Sequence, residues 1–303
     1  MQENILLKTY NLIDIDFAHT ICSVAGQKSS FIKWDRGHNN PENPTFYTNE
    51  SITSVNTPKE KSFALIFESQ AIKADPYKHI IPIIDKFNLV FTHSSTLLRD
   101  YSNTRWIPGG GIWVGGTVGE GKIGIKNKIK NKICSIVSSH KDWCELHKLR
   151  LEIVDDCIIS KPFVDVFRSG AASGKYIPII ESLENYMFSI IVENFQDELY
   201  FTEKILNCFA TGTIPIYLGA THIGEKFNLD GVIQFNTIEE LSPILNSLSE
   251  ELYRSKINAI QDNFNRCKQY RIIEDYICQN YMEERSKGFF GYEYYMWNNE
   301  TLR

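Results

Sequence analysis

The sequence predicts an α/β protein of two domains, and three observations carry that reading. A chain of 303 residues, 43% of them apolar, can bury two cores, and length alone favours about two domains. Short apolar runs alternate with polar or helical stretches on both sides of a glycine-rich segment that begins at Pro108. Between Tyr186 and Gly219 the chain reads strand, loop, helix, strand, with polar residues collected at one end. Open α/β sheets bind ligands at that end.

Taken in order, Ile5 to Leu7, Phe63 to Phe67 and Leu89 to Thr92 are apolar runs of strand length within one α/β domain. Gly37 to Lys61 is polar, contains Pro41, Pro44 and Pro58, and reads as a long loop of the kind that often carries function. The run Pro108-Gly109-Gly110-Gly111-Ile112-Trp113-Val114-Gly115-Gly116, with Gly119, Gly121 and Gly124 behind it, suits either an interdomain hinge or a backbone approaching a ligand. It is not a dinucleotide fingerprint, because no clear helix opens after it. A second α/β pattern follows: strand Ile133 to Val137, helix Trp143 to Val154, strand Val164 to Phe167, then strand Phe188 to Val192. The next helix carries Glu203 and Lys204 in its first turn and an apolar face of Ile205, Leu206, Phe209 and Ala210, with Gly212 able to cap it. Strand Ile214 to Leu218, a strand near Val232 to Phe235, and helical segments Leu241 to Leu248 and Glu251 to Met282 complete the pattern. The reading divides the chain into residues 1–125, 126–285 and an aromatic tail, 286–303, expected to pack back on the first domain. No repeat of solenoid period is present.

Charge and composition exclude several classes. The net charge of −5 argues against a nucleic-acid binder. Lys122, Lys126, Lys128, Lys130 and Lys132 cluster locally, and read either as a solvated linker or edge strand or as a patch for phosphate or an anionic membrane. The N-terminal stretch has neither the cationic leader nor the continuous apolar run of a signal peptide or anchor. Seven cysteines without C-x-x-C spacing indicate free thiols and a reducing compartment. A cytoplasmic enzyme, peripheral to the membrane at most, is expected, and the sequons at Asn49 and Asn299 then carry no meaning. Asp14-Ile15-Asp16 looks like a manganese-binding D-x-D but lies too near the N-terminus to follow a nucleotide-binding unit. The histidines lack metal-ligand spacing and no G-x-S-x-G elbow occurs.

The segment Phe188…Val192-Glu193-Asn194, Tyr200-Phe201-Thr202-Glu203-Lys204 and Ile214-Pro215-Ile216-Tyr217-Leu218-Gly219 resembles the signature of the alpha-1,3-fucosyltransferases, glycosyltransferase family 10. That resemblance implies a GT-B architecture, two Rossmann-like domains facing a cleft, with residues 1–125 on the acceptor side and 126–285 holding the nucleotide sugar. It implies an inverting, metal-independent transferase that requires no cofactor and uses a GDP-sugar donor, GDP-fucose first. Its partners would be that nucleotide sugar and an oligosaccharide or glycolipid acceptor in glycan biosynthesis.

Transfer from a nucleotide sugar needs cations for the developing diphosphate charge and a carboxylate for the proton of the attacking hydroxyl. Lys204, in a helix first turn where backbone N–H groups already favour phosphate, and Arg150, matching a family arginine, are the candidate diphosphate ligands. The structural alternatives are a surface helix lysine and an Arg150 paired with Glu145 or Asp155. Glu203 is placed at the ribose, or serves only to complement the helix N-terminus. Asn194 and Tyr200 match family positions around the donor, and Glu193 is expected near the donor sugar. Glu68, after the strand Phe63 to Phe67, matches the family's general base, with Asp35 as the substitute and a strand-end cap as the structural alternative. Two departures bear on the donor sugar: Phe167-Arg168-Ser169-Gly170 where the family often has an aromatic followed directly by glycine, and Phe195 in place of a small residue. They leave open a different hexose or heptose. A non-catalytic nucleotide-sugar sensor is the rival from another class, and it would have no use for Glu68.

Overall fold

The computed structural model describes residues 7–13, 28–115, 122–124, 130–170 and 174–282. The described chain forms two compact units. One contains the described residues up to Gly111 together with Tyr270 to Met282; the other contains those from Ile112 to Gln269. The aromatic tail and Asp14-Ile15-Asp16 lie outside the described residues.

The first unit is built on a six-stranded sheet, β1 (Lys8–Ile13), β2 (Ile32–Asp35), β3 (Thr45–Thr48), β4 (Ser62–Ile66), β5 (Leu89–Thr92) and β6 (Thr104–Trp106), in the order β2-β1-β3-β4-β5-β6. Every pairing is parallel, so the strands need covering on both faces and read as apolar runs. On one side Phe46, from β3, packs edge-on to Tyr10 at 5.4 Å and stacks on Phe63 at 5.0 Å. On another, Tyr47, Ala64, Ile66 and Val90 pack with Ile52, Tyr77, Ile80, Ile84, Phe87 and Leu97, contributed by short helices that include α1 (Asp75–His79) and α2 (Ser95–Asp100).

β3 corrects the long loop expected over Gly37 to Lys61. Thr45, Phe46, Tyr47 and Thr48 are all buried between β1 and β4, and Asn49 to Ser54 continue as a 3-10 helix. Only four residues long and flanked by proline and polar residues, this strand is too short for alternation to reveal it.

The C-terminal helix α8 (Ile273–Tyr281) belongs to this first unit. Ser29 Oγ and the Ser30 N–H donate to Asp275 at 2.5 and 2.9 Å, Trp34 Nε1 donates to Glu274 at 3.3 Å, and Tyr281 Oη donates to the Trp106 carbonyl at 2.6 Å. The ring of Trp106 also meets those of Tyr270 and Tyr276 edge-on, at 6.0 and 5.8 Å.

The second unit is a five-stranded parallel sheet of β7 (Lys132–Ser138), β8 (Val164–Arg168), β9 (Tyr186–Val192), β10 (Ile214–Leu218) and β11 (Ile233–Gln234), in the order β11-β10-β9-β7-β8. Helix α3 (Glu145–Ser160) connects β7 to β8, and α4 (Glu203–Ala210) connects β9 to β10. Helices α5 (Ile238–Asn246), α6 (Glu250–Ser255) and α7 (Ile257–Cys267) follow β11. Because β8 lies on one side of β7 and β9 on the other, the strand order reverses between β7 and β9. Loops at the carboxyl ends of such a pair diverge and leave a crevice for a ligand. Gly212, at φ 66°, ends α4 in the left-handed conformation that glycine adopts without strain.

Of the lysine cluster, Lys126 and Lys128 lie outside the described residues, and Lys130 is no solvated linker residue. It is 7% exposed. Its ammonium donates to the carbonyls of Leu183 and Glu184 at 2.8 and 3.3 Å and to Thr213 Oγ1 at 2.9 Å. Lys132 is exposed on β7 and pairs with Asp165 at 2.6 Å. The six described cysteines are free thiols. Among the described residues no helix is long and apolar enough to cross a membrane.

Candidate functional site

The candidate charged residues of the second unit follow β7 and β9 in the chain. Just past the end of β9 at Val192, the Glu193 N–H still donates to the Leu218 carbonyl of β10 at 2.9 Å, and its side chain is buried. Glu193 is 0% exposed. A buried carboxylate must be fully paired, and this one is. Oε1 accepts from the Thr202 N–H at 2.9 Å, and Oε2 accepts from Thr202 Oγ1 at 2.7 Å and from Lys204 Nζ at 3.1 Å. Burial pushes the Glu193 carboxyl up, and the Lys204 ammonium opposes that rise.

Thr202 is the N-cap of α4, its hydroxyl accepting from the Lys204 N–H, a bond that supplies one of the orphan donors of a helix start. The same hydroxyl also accepts from Lys204 Nζ at 3.0 Å, and Glu203 Oε1 stands 3.3 Å from that ammonium. Burial alone would depress Lys204; Glu193 and Glu203 more than offset it and lift it to about 12. Lys204 is therefore a fixed cation at the start of a helix whose macrodipole points the same sign of charge outward.

Arg150 lies on α3, which follows β7 as α4 follows β9, and its charge acts on Lys204. It is 7% exposed, and its Nε finds no hydrogen-bond partner among the described residues. Neither expected alternative partner takes it: Asp155 pairs with Arg168 at 3.3 Å and Glu145 lies 3.8 Å from Lys148. Its surroundings are electrostatic rather than bonded. Desolvation lowers its pKa, while Cys144, Glu193 and Glu203 act in the opposite direction. A guanidinium stays charged in any protein, so Arg150 is a buried cation with unused donors. His147, one turn earlier, is held neutral, with its pKa lowered to about 4 by burial and by Arg150, Lys204 and Lys141.

Asn194 and Tyr200 meet each other. The Tyr200 hydroxyl donates to Asn194 Oδ1 at 2.7 Å, and Cys144 Sγ, at the N-cap of α3, lies 3.1 Å from the Asn194 carbonyl. Phe195 packs edge-on to Tyr200, ring centroids 6.1 Å apart. The structure thus brings six candidate residues, Arg150, Glu193, Asn194, Tyr200, Glu203 and Lys204, to the carboxyl edge of one sheet. Glu68 stands in the first unit, just past β4 and also at a strand's carboxyl end. Its carbonyl accepts from the Tyr77 hydroxyl, which also meets His93 Nε2 at 2.9 Å.

Four residues of the second unit's site were not singled out from sequence. Thr202 bridges Glu193 and Lys204; a threonine ahead of an acidic helix turn signals a cap but not a bridge. Gly219 is required by packing: a Cβ there would lie 2.3 Å from Tyr217 Oη and 2.6 Å from Glu193 Cγ. Asn207, buried on α4, accepts from the backbone N–H groups of Trp113 and Val114 at 2.8 and 3.1 Å, which fixes part of the glycine-rich segment against the signature helix. His147 carried no motif at all. Among the described residues no three or more His, Cys, Asp or Glu side chains gather as a metal-holding group.

Residues 126–255 match the model of glycosyltransferase family 10 (fucosyltransferase), C-terminal part. A fucosyltransferase-like protein of Arabidopsis thaliana is 32% identical over 66 residues, 22% of this chain and 13% of that protein. An alpha-(1,3)-fucosyltransferase of Helicobacter pylori is 27% identical over 90 residues, 26% of this chain and 19% of that protein. The matches therefore span less than a fifth of the length of either relative. A crystal structure of an alpha1,3-fucosyltransferase with GDP aligns over 89% of this chain and 93% of its own, with a TM-score of 0.50 and 12% identity. With its two parallel sheets, the fold is of the GT-B type.

Proposed function

Residues 126–255 belong to glycosyltransferase family 10, and from that premise we propose that this protein transfers fucose from GDP-fucose to a hydroxyl of an oligosaccharide or glycolipid, with inversion and without a metal ion. The observation that carries the reading is the pair of cations at the strand-order reversal: Arg150, buried with its Nε unpartnered, and Lys204, fixed at the start of α4. A planar guanidinium holds two phosphate oxygens, at roughly 1.5–3 kcal/mol per charge-assisted bond. Two such cations serve the leaving group as a metal ion does in other transferases.

In the reaction, the bond between the sugar anomeric carbon and the β-phosphate oxygen breaks as the acceptor hydroxyl oxygen bonds to the opposite face of that carbon. The electron pair leaves with GDP, where Arg150 and Lys204 take up its charge. The hydroxyl proton passes to Glu68, the assigned general base. Glu203 is assigned to the ribose hydroxyls, and Asn194 and Tyr200 to the surroundings of the donor.

A second reading is favoured by Phe195, whose ring packs against Tyr200 at a position where the family often has a small side chain: the donor sugar is then another hexose or heptose. The test is a panel of GDP-sugars with a glycan array, following GDP release and the anomeric configuration of the product. Turnover of GDP-fucose with inversion is the expected result. Turnover of a different GDP-sugar would establish the second reading, and GDP binding without turnover of any would make the protein a nucleotide-sugar sensor.

A further inference from the structure

The ammonium of Lys204 has three N–H donors; two go to Glu193 Oε2 at 3.1 Å and Thr202 Oγ1 at 3.0 Å, and Glu203 Oε1 is its ion-pair partner at 3.3 Å. The third donor is the one a phosphate can take. The three partners are not equivalent. Glu193 is 0% exposed and is tied by two further bonds to Thr202. Thr202 is itself buried and caps α4. Glu203 belongs to the first turn of α4, and its side chain keeps 16% of its surface accessible. It is the partner that can give way to a phosphate.

We propose that Glu193 is a positioning residue rather than a contact of the nucleotide sugar: with Thr202 it anchors two donors of Lys204, so that the third is presented to the diphosphate. The inference rests on the proposed role of Lys204 at the diphosphate. A residue with no accessible surface offers nothing for a ligand to touch. Its carboxylate competes with an arriving diphosphate for the same ammonium, so it costs ground-state affinity. What it supplies is orientation of the cation toward charge that develops as the bond to the leaving group breaks, the kind of preorganisation that acts on the transition state. Gly219 completes the device, because any Cβ there would displace the Glu193 side chain.

The test compares wild type, Glu193→Gln and Lys204→Ala by GDP titration and by kcat with the donor that the wild type turns over. Lys204→Ala weakens GDP binding. Glu193→Gln binds GDP as tightly as the wild type or more tightly, while kcat falls about 10- to 100-fold, the loss expected when a reacting group is misplaced by about 1 Å. A merely structural residue would not divide the two constants in this way. Loss of GDP affinity in Glu193→Gln parallel to the loss of kcat, or retention of both, overturns the inference. Failure of the wild type to bind GDP overturns the functional reading and this inference with it. Should Glu193→Gln fail to fold, Thr202→Val, which removes the bridging hydroxyl, loses kcat with GDP affinity kept. Thr202→Ser then restores most of that loss; equal defects in the two threonine variants would contradict the bridge.

Discussion

The charged cluster of the second unit and the turn that carries Glu68 in the first are built in different ways. Around Lys204 the partners are charged and buried, and each bond constrains another: Thr202 serves Glu193, caps α4 and accepts from the lysine. The turn that carries Glu68 is held through its backbone. The Tyr77 hydroxyl reaches the Glu68 carbonyl, Asn49 Oδ1 accepts from the neighbouring Phe67 N–H at 3.4 Å, and the Ile72 and Lys73 N–H groups close the turn on the Ser69 carbonyl. The two places are assigned two kinds of chemical work. Stabilising a leaving diphosphate is an electrostatic task that benefits from charge fixed in advance. Accepting a proton needs a carboxylate within reach of the hydroxyl.

The strongest way to break this comparison is Glu68→Gln. Turnover is expected to fall about 10²- to 10⁴-fold with GDP affinity unchanged, as measured by product formation and titration on the same preparation. Near-normal transfer would remove Glu68 from the mechanism. Arg150→Ala acts in the opposite sense and should weaken GDP binding itself by about tenfold to a hundredfold, corresponding to roughly 1.5–3 kcal/mol for the lost charge-assisted bonding; unchanged affinity would show that its unpartnered guanidinium serves no ligand.

His147 sharpens the contrast through pH. In the unfolded chain it takes up a proton near 6.5, whereas in the folded protein its pKa is lowered to about 4. Its contribution to stability is therefore present above the unfolded value and is lost as pH falls from 6.5 toward 4, by about 2 kcal/mol at pH 5. Urea unfolding at pH 7 and pH 5 should show this loss, and His147→Asn should reduce it; an identical slope in the variant would mean that other groups set the acid limit. Gly219→Ala tests the packing behind the cluster. With Tyr217 Oη 2.3 Å and Glu193 Cγ 2.6 Å from the new methyl, about 1–3 kcal/mol of destabilisation is expected, read as a lower denaturant midpoint. A wild-type midpoint would mean that the pocket relaxes freely.

The second unit was more legible in sequence than the first, for physical reasons. Ile214 to Leu218 is a buried, β-branched strand that the apolar pattern marks at both ends, and the first turn of α4 carries its charges directly before an apolar face. In the first unit β3 is hidden because its four residues begin and end in threonine within a proline-flanked polar stretch. A local run of lysines predicts exposure, as a solvated linker or edge strand or as an anion-binding patch, but Lys130 is buried because its three oxygen acceptors come from Leu183, Glu184 and Thr213, far away in the chain. Glu193 could be read as the end of a strand but not as a buried anchor. That role depends on Thr202 and Lys204 folding back over it, and on Gly219 leaving the space.

The central claim, that Arg150 and Lys204 form a preformed site for a guanosine diphosphate, is tested most directly by calorimetric titration of the wild type and Arg150→Ala with GDP and with UDP in the presence of EDTA. Micromolar GDP affinity in the wild type, much weaker UDP binding, and loss of GDP affinity in Arg150→Ala are the predicted results. A folded wild-type protein that ignores GDP, or an Arg150→Ala variant that binds it equally well, would contradict the account.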